Sequence, residues 1–122
     1  MEVSGPAGEL DVDEWAARTA APSEGRAAEV AGWFWAYVRG LGSDADRRRV
    51  LRWATGRDAL PAHEGGEAMM KLVVTAPAGA LPYIKAACFH TLTLPLVESP
   101  VALAAAVGRA LEEWGAAPYK DA

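Results

Sequence analysis

Lys85, Cys88 and His90 are the residues of this chain whose types and spacing best suit chemistry. Cys88 is the only cysteine. It stands near the middle of Leu81-Pro82-Tyr83-Ile84-Lys85-Ala86-Ala87-Cys88-Phe89-His90-Thr91-Leu92-Thr93-Leu94-Pro95, a stretch bracketed by two Leu-Pro pairs. The thiolate is the nucleophile, and an unperturbed cysteine titrating near about 8.5 is only a few per cent thiolate at neutral pH. The cationic Lys85 or the imidazole of His90 is placed to raise that fraction several-fold. The competing reading is structural, because a lone cysteine in a soluble domain commonly serves as a small buried hydrophobe.

Other chemistries find less support. Gly40 to Gly42 is not followed by the Gly-Lys-Ser/Thr of a phosphate loop. His63 and Glu64 lack companions at metal-ligand spacing, so no zinc or iron site is expected. A papain-like pair needs a histidine base for Cys88, and the chain offers only His63 and His90. His90 lies close in sequence, and nothing in the sequence brings His63 near in space.

The elements that must position Cys88 follow from periodicity and breakers. The alternation Thr91-Leu92-Thr93-Leu94 predicts a half-buried strand, with Cys88 in a loop entering a sheet edge. Met70 to Thr75 predicts the clearest strand, turned toward the cysteine stretch by Ala76-Pro77-Ala78-Gly79. Residues Ala62 to Glu67 read as a polar, Gly-rich loop. Asp11 with Glu14 predicts a capped short helix over Val12 to Arg18, broken by Ala21-Pro22-Ser23-Glu24-Gly25. From about Arg26 to Arg39, Val30, Trp33, Phe34, Tyr37 and Val38 fall on one helical face. Trp35 points away from that stripe, either to another element of the same domain, the favoured reading, or to a partner.

Gly40-Leu41-Gly42 ends that helix and Ser43 caps the next, which carries Val50, Leu51, Trp53 and Ala54 inward, stops at Gly56 and packs back on the first as an antiparallel hairpin. Its Arg47-Arg48-Arg49 run, with Arg52, follows Asp44 and Asp46 by about one turn and reads as a solvated face, or alternatively as a patch for phosphate or an acidic partner. A last helix has Ser99 as N-cap, Pro100 first, an inward face of Leu103, Val107, Ala110, Leu111 and Trp114, and Gly115 as its stop. The sum is a small α+β domain, a small mixed sheet covered by helices.

At 122 residues the chain makes one domain that buries roughly two-thirds of its unfolded surface. Its net charge of −4 argues against nucleic acid as a partner. A single thiol fits a reducing compartment, so cytoplasm or nucleus is expected. No apolar run reaches the roughly 20 residues that cross a bilayer, and no membrane partner is expected.

The cysteine stretch resembles that of HECT-type ubiquitin ligases, Leu-Pro-x-x-x-Thr-Cys-Phe-Asn-x-Leu-x-Leu-Pro. Asp11-Val12-Asp13-Glu14-Trp15 with Thr19 resembles the family's Asp-Val-x-Asp-Trp-x-x-x-Thr. Trp33-Phe34-Trp35 resembles its Trp-Phe-Trp helix motif. Arg48 to Gly56, with Leu51, Thr55 and Gly56, is similar to Arg-x-x-Leu-Leu-x-Phe-x-Thr-Gly, with Trp53 in place of Phe, and Leu60-Pro61 fits the next turn. The resemblance runs from about Leu10 to the end. It implies the C-terminal, catalytic lobe of such a ligase, with residues 1–24 as lead-in, short helix and interlobe-type linker and 25–122 as the catalytic lobe.

The same resemblance implies that Cys88 accepts ubiquitin as a thioester from an E2 ubiquitin-conjugating enzyme and passes it to a substrate lysine. It calls for no cofactor or metal, and it places the surface that recruits the conjugating enzyme in a lobe upstream of these residues. Phe89 would anchor the loop, Lys85 or His90 would support the thiolate or proton movement, and Tyr119 with Asp121 would assist transfer from the tail. Tyr119 has the alternative of a frayed end. The chain departs from the family at Gly25-Arg26 for Gly-Tyr, at Ala87 for Thr, at His90 for Asn, at Leu96-Val97 after Leu94-Pro95, and in a Leu81-to-Cys88 spacing one residue long. Two rival readings stand beside the transferase. One is an inactive HECT-derived module that binds ubiquitin or a partner. The other is an oligomerising domain using Trp35 and the small face around Ala104 to Ala106.

Overall fold

Three of the four described helices open where the sequence supplies a capping side chain. The computed structural model describes residues 9–61, 68–86 and 90–116. Helix α1 (Val12–Ala17) follows Asp11, whose carboxylate accepts from the Glu14 N–H at 3.0 Å. Helix α3 (Asp44–Thr55) follows Ser43, whose hydroxyl accepts from the Asp46 N–H. Helix α4 (Pro100–Ala116) follows Ser99, which accepts from the Ala102 N–H and sets Pro100 where a missing N–H costs nothing. Helix α2 (Gly25–Arg39) starts at Glu24 without a side-chain cap. Gly56 closes α3 in the left-handed conformation at φ 81°, as the sequence predicts.

Gly115 does not stop α4, which continues to Ala116. The reason lies on α3. The Arg49 guanidinium donates to the Leu111 carbonyl at 2.9 Å, and a Cβ on Gly115 would stand 3.1 Å from Arg49 Nη2. The glycine makes room for a cation that satisfies a carbonyl in the last turns of the helix.

Four strands form one sheet among the described residues, in the order β1 (Thr19–Ala20), β2 (Met70–Ala76), β4 (His90–Pro95) and β3 (Tyr83–Ala86). β1 and β4 lie parallel to β2, and β3 is antiparallel to β4. Helix α2 packs on β2 and α4, and α3 packs on β4 and α4. The mixed sheet and its helices make the α+β domain that the sequence predicts.

Two strands exceed the prediction. Tyr83 to Ala86, for which the alternation predicts no strand, is strand β3, because Tyr and Ile favour a pleated surface and β4 offers them an edge to pair with. The strand after Cys88 is therefore interior, and β3 is the edge. β4 is also more buried than its alternation implies, since Leu92, Thr93, Leu94 and Pro95 are all buried. Thr93, at 3% exposure, lies in register between Val73 and Tyr83 on the two neighbouring strands.

Trp15 ties α1 into the core. It is fully buried and meets Phe34 and Trp35 edge to face, with ring centroids 6.1 and 5.0 Å away. Its indole N–H donates to Met70 Sδ at 3.3 Å. Trp35 is thus an intramolecular contact, 8% exposed, and offers no oligomerising surface. Because α1 covers a second side of α2, Ala31 and Trp35 are buried while Trp33 and Tyr37 stay half-buried.

The arginine run is not simply a solvated face. Arg47 donates to the Leu41 carbonyl, Arg48 to Asp44 and the Asp58 carbonyl, and Arg49 to Leu111. These three half-buried guanidiniums spend their several donors on loop and helix-end carbonyls, which helical periodicity cannot reveal. Arg52 alone of the run is exposed.

Candidate active site

The sheet holds the residues that flank the Cys88 stretch on either side. Cys88 itself lies outside the described residues, as do Ala87, Phe89, His63, Glu64, Tyr119 and Asp121. The flanking residues Ala86 and His90 end β3 and begin β4, and they are partners in the antiparallel ladder, followed by Lys85 with Thr91. Three residues join the paired positions.

The ladder separates the two supporting candidates. Paired residues share a face and neighbours alternate, so His90 lies with Ile84, Leu92 and Leu94, and Lys85 lies with Thr91 on the opposite face. His90 is half-buried, and its Nε2 stands 3.9 Å from where a Cβ on Gly56 would be. The imidazole therefore meets the C-terminal end of α3, where the last carbonyls of a helix lack intrahelical partners. Lys85 is exposed. The two cannot act from the same side of the sheet.

The framing Leu-Pro pairs do separate work. Pro82 is buried just before β3, and Pro95 ends the β4 ladder opposite Ala76, where the register shifts after Val74. A Pro without an N–H suits a ladder's last position. Beside β3 runs a groove of about 420 Å³ that includes Trp53, Pro82, Tyr83, Ile84, Glu113 and Trp114. Among the described residues no three His, Cys, Asp or Glu side chains converge as metal ligands. No helix among them is long and apolar enough to cross a membrane.

The motif residues sit mainly in the fold's interior. Trp15, Phe34, Leu51, Leu92 and Leu94 are fully buried, and Trp35 nearly so. The Thr55 hydroxyl donates to the Leu51 carbonyl and accepts from the Arg57 N–H, sealing the end of α3 just before Gly56. This ordered set of core and capping residues is what a family comparison reads. The family model for the HECT-domain (ubiquitin-transferase) matches residues 1–116. The chain belongs to the HECT-domain family. A comparison with curated proteins found no match. The activity general to HECT domains is ubiquitin transfer, with ubiquitin and a protein substrate as partners.

Sequence reading missed the approach of His90 to Gly56. Both residues are visible in the motifs, but they stand far apart along the chain, and no periodic signal links a helix C-cap to the start of a strand. It also missed that Lys71 joins Lys85 in one cross-strand row through Thr91. That row depends on a register that β3 must supply.

Proposed function

We propose that the protein is the C-terminal catalytic lobe of a HECT-type ligase and transfers ubiquitin through a thioester on Cys88. The observation that carries the reading is the HECT match across residues 1–116, with the chain's only cysteine standing in the Cys-Phe-x-x-Leu-x-Leu-Pro frame. The Cys88 thiolate attacks the carbonyl carbon of the thioester that joins ubiquitin to a conjugating enzyme. A new C–S bond forms, the tetrahedral oxyanion collapses, and the conjugating enzyme's cysteine leaves as thiolate. One thioester replaces another, so the exchange is nearly balanced in energy.

In the second step an uncharged substrate lysine amine attacks the same carbon. The isopeptide C–N bond forms, the Cys88 thiolate departs, and the amine gives its proton to a base. His90 and Lys85 support these steps from opposite faces of the sheet, while Tyr119 and Asp121 assist transfer to the lysine. An upstream lobe recruits the conjugating enzyme, and the setting is cytoplasmic or nuclear. The replacement of the family's Thr and Asn by Ala87 and His90 favours one second reading, an inactive module that binds ubiquitin or a partner.

The test is incubation with a charged conjugating enzyme at high concentration, with a chemically activated ubiquitin thioester as second donor. Non-reducing and reducing gels are run with Cys88→Ala in parallel. A ubiquitin adduct that reductant removes, and that never forms on Cys88→Ala, is the expected result. No adduct from either donor, on folded protein with a titratable thiol, refutes the thioester and leaves the binding module.

A further inference from the structure

The two faces of the sheet differ in what they meet. Leu72, Val74, Leu92 and Leu94 are buried in the core with the helices, and Ile84 packs against it. On the other face the side chains stand in cross-strand rows whose outer members reach solvent while Thr93, at the centre, is buried. One row is Lys71, Thr91 and Lys85, and the next is Val73, Thr93 and Tyr83. Both lysines are exposed, Thr91 and Val73 are half-buried, and Tyr83 is 49% exposed.

Among the described residues the lysine row meets no opposite charge. β2, β3 and β4 contain no Asp or Glu, and neither Lys71 nor Lys85 forms an ion pair among the described residues. In a chain of net charge −4, two cations two strands apart, or about 10 Å, share one open face. The Thr91 hydroxyl stands between them as a further donor. An exposed tyrosine and a valine in the adjoining row give the face an apolar strip beside its cations. Charge and apolar contact thus lie side by side.

We propose that this open sheet face docks an acidic segment of a partner protein. Its carboxylates pair with Lys71 and Lys85, and an apolar side chain rests over Val73 and Tyr83. Carboxylates two residues apart on an extended chain are about 7 Å apart, a span that two flexible lysine stems can meet. A polyanionic lipid or nucleic-acid surface fits less well, because the net negative charge of the whole chain opposes it at longer range. The docking surface goes beyond the thioester reading and does not depend on Cys88. A segment held there would lie beside Ala86, two residues before that cysteine.

The probe is a fluorescein-labelled peptide of pattern Glu-Tyr-Glu-Leu-Glu, compared by fluorescence anisotropy with its Gln analogue on the full chain. Binding of the Glu peptide is expected to be about fivefold or more tighter than that of the Gln analogue, to weaken with added salt, and to fall by a similar factor in Lys71→Glu/Lys85→Glu. Lys71→Gln/Lys85→Gln is expected to show the same direction, and both variants should keep the wild-type circular dichroism. Cys88→Ala binds unchanged, so failure here and failure of the thioester remain separable. Amide shifts on titration should gather at 71–75, 83–85 and 91–93. Equal binding of the Gln analogue, retained binding in folded charge variants, shifts gathered elsewhere, or binding of phosphatidylserine vesicles in place of the peptide would each overturn the proposal.

Discussion

Replacing Trp15 by Ala removes a fully buried indole from between Phe34, Trp35 and Met70. Large aromatic-to-Ala changes in cores cost about 3–5 kcal/mol, and two edge-to-face ring contacts of about 0.5–1.5 kcal/mol each lie within that figure. Domains of this size have about 5–15 kcal/mol in total, so the variant should retain its fold only marginally. Urea unfolding followed by circular dichroism is the assay, because the chain's five tryptophans blur a fluorescence signal. The midpoint should fall strongly, and the melting temperature by about 10–20 °C.

Trp15→Phe should cost less, since it keeps a ring and loses the N–H to Met70 Sδ. Trp33→Ala, at a half-buried site, should also cost less than Trp15→Ala. A Trp15→Ala loss below about 1 kcal/mol would refute the reasoning, for it would mean that α1 does not help close the core. The same contact predicts that a chain begun at residue 25 is less stable than the chain begun before α1.

Further outcomes follow from the charged contacts. The Leu10 N–H, donating at 2.6 Å, and then Arg48 hold the Asp44 carboxyl below the ordinary aspartate range against the opposing effect of burial. A depressed folded-state value contributes stability that is complete above the unfolded value of about 3.9 and is lost as pH falls through the lower folded value. Asp44→Asn should therefore flatten the acid limb of a stability-against-pH curve below about pH 4, and an unchanged limb would remove Asp44 from that role. Arg49→Ala should cost about 1–3 kcal/mol and speed amide exchange at the end of α4, because it strips the Leu111 carbonyl of a charged donor. In that background Gly115→Ala should gain up to about 1 kcal/mol of helix propensity, and less in the parent, where the new methyl meets Arg49. A double-mutant cycle showing no coupling would disprove the contact.

The sequence carried the local decisions because they depend on neighbours along the chain. Asp11, Ser43 and Ser99 cap helices by reaching three residues ahead, and Gly56 ends α3 because its φ of 81° suits a residue without Cβ. The motif order around Trp15, Trp33-Phe34-Trp35 and Cys88 carried the family as well, since an aromatic core and a lone cysteine are spelled in residue types. The apolar faces of α2 and α4 were largely readable from their spacing.

What lay beyond the sequence were the choices made between distant segments. Trp35 is inside because α1 folds over it, and Gly115 lets a helix continue because Arg49 arrives from α3. Tyr83 to Ala86 becomes a strand only when β4 offers it a ladder, and that ladder puts Lys85 and His90 on opposite faces. Residue types set which contacts this chain can make at the scale of a turn. The meeting of α1 with α2, α3 with α4 and β3 with β4 decided which side chains are buried and which stay exposed, because burial is a property of elements packed together rather than of any one of them.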